Sequence, residues 1–152
     1  EPAPDLFDVG CVGRIAQVEA LDDGRFNLLL EGLTRFRVVR EIDVTTAFRQ
    51  VEASFDEFDD AAEQPPLSFA LRAEIELESR RFADARGYSV DWEAVGRLDD
   101  ESLVNGIAQI APFDPASKQA LLEAATVPDR ADLLVQFMQF FGQGGNGRAT
   151  LQ

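Results

Sequence analysis

The chain of 152 residues has no histidine, and one each of cysteine, methionine, tryptophan and tyrosine. Each scarcity removes a class of chemistry. Without histidine, neither a Ser-His-Asp or Cys-His nucleophile system nor a His-rich zinc site can be assembled from this chain alone. A single cysteine, Cys11, allows no intrachain disulfide. It falls among small residues and is expected to be a buried, inert thiol; without histidine it is a poor nucleophile. No run approaches the ~18–20 apolar residues of a membrane span, and no signal-peptide pattern is present, so a cytoplasmic location is expected. No G-x-x-x-x-G-K-[ST] phosphate loop occurs. No cofactor or metal is expected.

Negative charge, by contrast, is plentiful. Asp and Glu number 28 against 14 Lys and Arg, a formal charge of −14. Both halves of the chain carry the excess. Phosphate backbones are bound chiefly by Lys and Arg neutralisation, so nucleic acid is not an expected partner. An anionic membrane surface is disfavoured for the same reason.

The patterning divides the chain in two. Residues 1–57 read as β-rich. Asp22-Asp23-Gly24 sits between apolar runs and predicts a hairpin, because the turn needs positive φ where glycine is free to adopt it. Beyond it, Phe26, Leu28 and Leu30 are expected on one face of a strand. A further run after Gly32 should put Phe36, Val38 and Ile42 on one face and Arg35, Arg37 and Glu41 on the other. Val51, Ala53 and Phe55 mark another strand. Residues 58–66 are acidic and Pro-containing and read as a connecting loop.

Residues 67–142 read as helices. The first, opening at Pro65-Pro66 and closed by Gly87, should bury a stripe of Leu67, Leu71, Ile75, Phe82 and Ala85. Asp99-Asp100 and Asp114-Pro115 cap two more, and Pro128-Asp129 opens the last. Between them, Trp92 is expected to fill the space between sheet and helices. Residues 143–152 read as a disordered tail.

The hairpin stretch also carries a resemblance. Gly10, Gly13, Arg14, Ile15 and Gln17, the turn Gly24, and Gly32-Leu33-x-Arg35-Phe36-Arg37 resemble the amino-terminal substrate-binding domain of Lon-type ATP-dependent proteases. A second block, from Leu103-Val104-Asn105 through Pro112-Phe113 to Lys118–Glu123, resembles the helical half of that domain. The resemblance implies an α+β fold: a mostly antiparallel PUA-like β-barrel followed by a bundle of about four helices. Lon proteases add an ATPase module and a Ser-Lys dyad, and this chain matches neither. Family members carry more strands upstream, which are expected to be processed off, truncated or unrecorded here; if they are truly absent, the sheet keeps an unpaired edge.

The resemblance further implies a non-catalytic, ATP-independent module that recognises unfolded or tagged polypeptides, resembling standalone bacterial versions of the domain. A role as an adaptor in proteolysis or quality control follows as an expectation. The alternative is a PUA-like reader of small molecules or nucleic acid. Two features are candidate binding surfaces. Arg35 and Arg37 stand together on the sheet, where they either grip a client's carboxylates or pair with Glu31, Glu41 or acids of the first long helix. The pairing role is the favoured one. Leu133, Leu134, Phe137, Phe140 and Phe141 exceed what one narrow helical stripe needs, so most of that set is expected in the core and the remainder, with Phe137, Phe140 and Phe141 as candidates, to be a docking face for a partner or for the missing amino-terminal strands. The carboxylates Glu74 and Glu78, one turn apart, read as stripe-edge residues answered by Arg81. Asp22-Asp23 and Asp99-Asp100-Glu101 lack EF-hand spacing and read as turn and cap.

Overall fold

A computed structural model describes residues 4–143. The tail expected over 143–152 lies outside the described residues but for its first position. The chain forms two compact units, one running to Glu63 and one from Gln64. Strands come first and helices after, as the α+β reading requires.

In the first unit, β1 (Val9–Ala20), β2 (Phe26–Ile42) and β3 (Gln50–Ser54) form an antiparallel sheet of order β1-β2-β3. The hairpin turn is where Asp-Gly placed it. Gly24 has φ 83°, and the Gly24 N–H donates to the Leu21 carbonyl at 3.1 Å. The two runs expected on either side of Gly32 prove to be one continuous 17-residue strand. That strand carries a bulge beside Gly32: Val12 pairs with Thr34 and Gly13 with Gly32, leaving Leu33 as the extra residue. One inserted residue reverses the faces of everything beyond it. A second irregularity, at Ala16, lies on β1.

Gly10 lies opposite Phe36, whose ring occupies the place of a side chain. A Cβ there would come within 2.5 Å of the ring edge. Phe36 in turn meets Phe55, with ring centroids 6.0 Å apart.

The segment expected as a connecting loop does more than connect. It contains no helix or strand, but Phe58 is buried and Asp60 folds back onto β2. One expectation for the sheet is corrected, and one of its faces is open. Phe26, Leu28 and Leu30 are each more than half exposed, as are Ile15, Val18 and Leu29. Cys11, expected to be buried, is exposed. The reason is shared: among its described residues this unit has three strands and supplies no helix of its own to cover the hairpin.

The second unit contains α1 (Phe69–Arg86), α2 (Trp92–Gly96), α3 (Asp100–Ile110), α4 (Pro115–Glu123) and α5 (Val127–Gln143). Its core is Ile75, Leu103, Val104, Ala131, Leu134 and Met138, all nearly or fully inaccessible. Capping sets the boundaries. Asp99 and Asp114 accept from the N–H of Ser102 and Ser117, each at 2.8 Å. Thr126 and Asp129 exchange reciprocal bonds at the start of α5, a capping-box arrangement. At the other end of α1, Gly87 takes φ 70° and the αL cap. Lys118 donates to the carbonyls of Ala108 and Gln109 and so closes α3.

Three details differ from expectation here. Ser68, not a proline, is the N-cap of α1, its hydroxyl accepting from Leu71 N–H at 3.1 Å. Pro65 and Pro66 lie upstream of that cap. Ala85 is exposed, and the buried face continues through Glu78, Ser79, Phe82 and Ala83 instead. Finally, the Tyr88–Trp92 connector ends in a short helix, with Asp91 capping Ala94.

Candidate functional site

Arg35 is buried, at 6% exposure, because Asp60 neutralises it. The guanidinium Nη2 lies 2.7 Å from Asp60 Oδ1, and the Arg35 backbone N–H donates to Asp60 Oδ2 at 2.7 Å. The ring of Phe58 covers the guanidinium face at 4.2 Å. Arg37 pairs with Glu57, which holds the Glu57 carboxyl below its ordinary pKa. The partners expected from sequence, Glu31 and Glu41, serve Arg14 and Arg49 instead. Of the two acids, Asp60 comes from the segment that looked like a linker and Glu57 from the residue just before it.

The phenylalanines of α5 part company. Phe137 and Phe141 are half-buried against Phe113, at ring separations of 5.7 and 5.4 Å. Phe113 also meets Phe82 at 5.8 Å, so these residues build the interior. Phe140, the third, is 73% exposed. Glu78 is buried and paired with Arg81 at 2.7 Å, whereas Glu74 is exposed. The Asp22-Asp23 pair belongs to the turn, with Asp23 bonded to Arg25. Asp100 accepts from Arg72 and from the Leu67 N–H, which lowers its pKa.

One concavity of the helical unit, among the described residues, is a groove of about 460 Å³. Its walls are Phe82 of α1, Tyr88 from the connector, Trp92 and Val95 of α2, Ile110 of α3 and Met138 of α5. Each wall has a local cause. The αL cap at Gly87 turns the chain sharply off α1 and delivers Tyr88 beside it. The Asp91 cap then starts α2 with Trp92 in its first turn. Trp92, expected between sheet and helices, is half-buried in this wall, with the Arg80 guanidinium 4.6 Å from its ring. Arg86 lies over Phe82 in the same way at 5.1 Å. Ile110 remains 77% exposed at the rim.

Sequence reading passed over this groove. Its signal was the placement of the only Tyr and the only Trp within five residues, between two helices and beside a helix-ending glycine. Ile110 gave no warning, since its spacing matched the buried face of α3.

The molecule is thus an α+β protein with an apolar groove walled by aromatic side chains. Comparison with known proteins places it more closely. Residues 1–139 match the ATP-dependent protease La (LON) substrate-binding domain, and the chain belongs to that family. It is 29% identical over 146 residues to the Lon protease of Azorhizobium caulinodans, covering 91% of this chain and 16% of that protein. Against Lon protease 1 of Syntrophobacter fumaroxidans it is 31% identical over 132 residues, with 86% and 16% covered. The chain therefore spans about one sixth of the length of the curated relatives it matches. Among solved structures, the N-terminal domain of Mycobacterium avium complex Lon protease superposes with a TM-score of 0.64 at 22% identity. That match covers 91% of this chain and 74% of the other. No helix among the described residues is long and apolar enough to cross a membrane.

Proposed function

We propose that this domain binds polypeptides lacking stable tertiary structure, through the groove of its helical unit, as a recognition module rather than a catalyst. The observation that carries this is the groove itself, a 460 Å³ concavity with Phe, Tyr, Trp, Ile and Met in its walls. Mixed aromatic and thioether walls accept many apolar side chains without requiring one shape. Its size accommodates one or two such side chains of a chain crossing it. Exposed Phe140, and the exposed edges of β1 and β3, offer secondary contacts, the latter by backbone pairing. Membership of a substrate-binding family supports the reading, and service as a cytoplasmic adaptor in proteolysis extends it.

The test is fluorescence anisotropy of a labelled, permanently unfolded polypeptide titrated with the protein. Saturable binding, competed by other unfolded chains and weakened by Ile110→Asp, supports the proposal. Absence of binding up to about 100 μM, weaker than about −5.5 kcal/mol, overturns it. The groove volume also lies in the range of small-molecule sites, about 300–1,000 Å³. A small apolar ligand that saturates the groove without competing with the polypeptide would favour that second reading.

A further inference from the structure

The register of the β1–β2 hairpin sorts its side chains by chemistry. Residues directly opposite each other across an antiparallel pair share a face. Ile15 pairs with Leu30, Val18 with Leu28 and Ala20 with Phe26, and the irregularity at Ala16 brings Ile15 into phase with Val18. These six apolar residues therefore lie on one face, which continues at its base into the pair Gly13 and Gly32. The opposite face is mostly polar. There Arg14 is bonded to Glu31 at 2.6 Å and Asn27 to Glu19 at 3.2 Å, with Gln17 facing Leu29. Among the described residues of the two strands, from Gly13 to Ala20 and from Phe26 to Gly32, no charged side chain falls on the apolar face.

That face is open. Ile15, Val18, Phe26, Leu28 and Leu30 are 53 to 62% exposed, and a two-stranded ribbon by itself is at best marginally stable in water. Half-exposed side chains of this size leave about 100 Å² each outside. Two such faces laid together remove about 1,000–1,200 Å² from water, the lower bound for a specific interface. The face also matches itself. Being uncharged, it meets a copy without setting like charges against each other, although the chain as a whole carries −14. Its ends differ in relief, with the Phe26 ring at the turn end and two glycines at the base.

We propose that a second copy of this chain covers this face, the two hairpins packing face to face about a two-fold axis perpendicular to their strands. That axis sets the turn end of each hairpin over the base of the other, so Phe26 of each copy fills the recess at Gly13 and Gly32 of the other. The overlap from Phe26 to Gly32 is about 20 Å, with the sheets about 10 Å apart. An axis running along the strands would lay glycine over glycine and ring over ring, leaving a void at one end and crowding the other. The perpendicular axis also keeps the two bases, where the acidic remainder of each chain joins, at opposite ends of the contact. The surface shares no residue with the groove of the helical unit.

Sedimentation equilibrium of the full chain tests this. The mass should move from one chain to two with a dissociation constant of about 1–100 μM, as suits a small interface. Association should tighten with added salt, which shortens the repulsion between acidic chains. Leu28→Glu should weaken it more than about tenfold, because a carboxylate would be buried without a partner. Leu29→Glu, the same change at the next residue but on the opposite face, should leave it within about twofold of wild type. Gly13→Ala adds a methyl that the chain itself accommodates, 3.6 Å from Leu30 Cβ, and should weaken association about fivefold by narrowing the recess. Unfolded-polypeptide binding by Leu28→Glu should equal wild type. A single-chain mass up to about 1 mM, equal loss in the two glutamate variants, or a Gly13→Ala dimer as tight as wild type overturns the proposal. So does an unfolded polypeptide that splits the dimer and fails to bind Leu28→Glu, which assigns the face to clients. A chain extended upstream of Glu1 that stays monomeric, with its hairpin amides protected from exchange, assigns the face to that extension and overturns the proposal equally.

Discussion

Arg35 is the residue whose sequence reading left a binding and a structural role open, and its pairing makes the choice measurable. The side chain is 7% exposed and that of Asp60 21% exposed. Removing one partner of a buried ion pair costs about 3–5 kcal/mol, because the other is left as an uncompensated charge. Water reaches Asp60, so Asp60→Ala should fall at the low end, about 3 kcal/mol. The replacement also removes the acceptor of the Arg35 backbone N–H. At 1.4 kcal/mol per tenfold, protection of the β2–β3 amides in native-state hydrogen exchange should drop about a hundredfold. Because an apolar replacement of both partners removes the stranded charge, Arg35→Met with Asp60→Leu should recover the part of that loss due to the charge, leaving about 1–2 kcal/mol for the Arg35 backbone N–H that has lost its Asp60 acceptor. Polypeptide binding by the double variant should equal wild type. A change in β2–β3 protection of less than threefold in Asp60→Ala would refute the account. So would a double variant that folds normally and loses polypeptide binding, which would return Arg35 to the binding surface.

Other perturbations test the rest of the fold. Leu134→Ala opens a cavity at a fully inaccessible position of α5 and should destabilise the helical unit by about 2–5 kcal/mol in urea denaturation followed by Trp92 fluorescence. Gly10→Ala should weaken the sheet, because the new Cβ meets the Phe36 ring. Phe36→Leu should relieve part of that loss, and an additive pair in exchange protection would contradict the clash. Asp99, Asp100 and Asp114 have folded pKa values below the ordinary carboxylate value, from the backbone N–H of Ser102, the side chain of Arg72 and the backbone N–H of Ser117 respectively. A depressed folded pKa gives stability that is present above the unfolded value, about 3.9, and lost as pH falls through the folded one. Helical signal in circular dichroism should therefore decline below about pH 4, and Asp100→Asn should flatten that decline.

Local rules were legible where chemistry acts over a few residues. The Asp-Gly turn, the Asp99 and Asp114 caps and the Gly87 terminus each depend on a bond between near neighbours, and each lies where the sequence put it. Partner choice was less legible because it depends on the path of irregular chain. Nothing local tells Arg35 to prefer Asp60, which lies in a stretch with no periodicity, over Glu31 four residues back on the same strand. The strand bulge at Leu33 was hidden too, since Phe26, Leu28 and Leu30 and then Phe36 and Val38 keep one parity in sequence while the extra residue turns the later ones to the other face. The groove was hidden by a third kind of non-locality. Its walls come from α1, α2, α3 and α5, and each contributing residue taken alone passes as an ordinary core position.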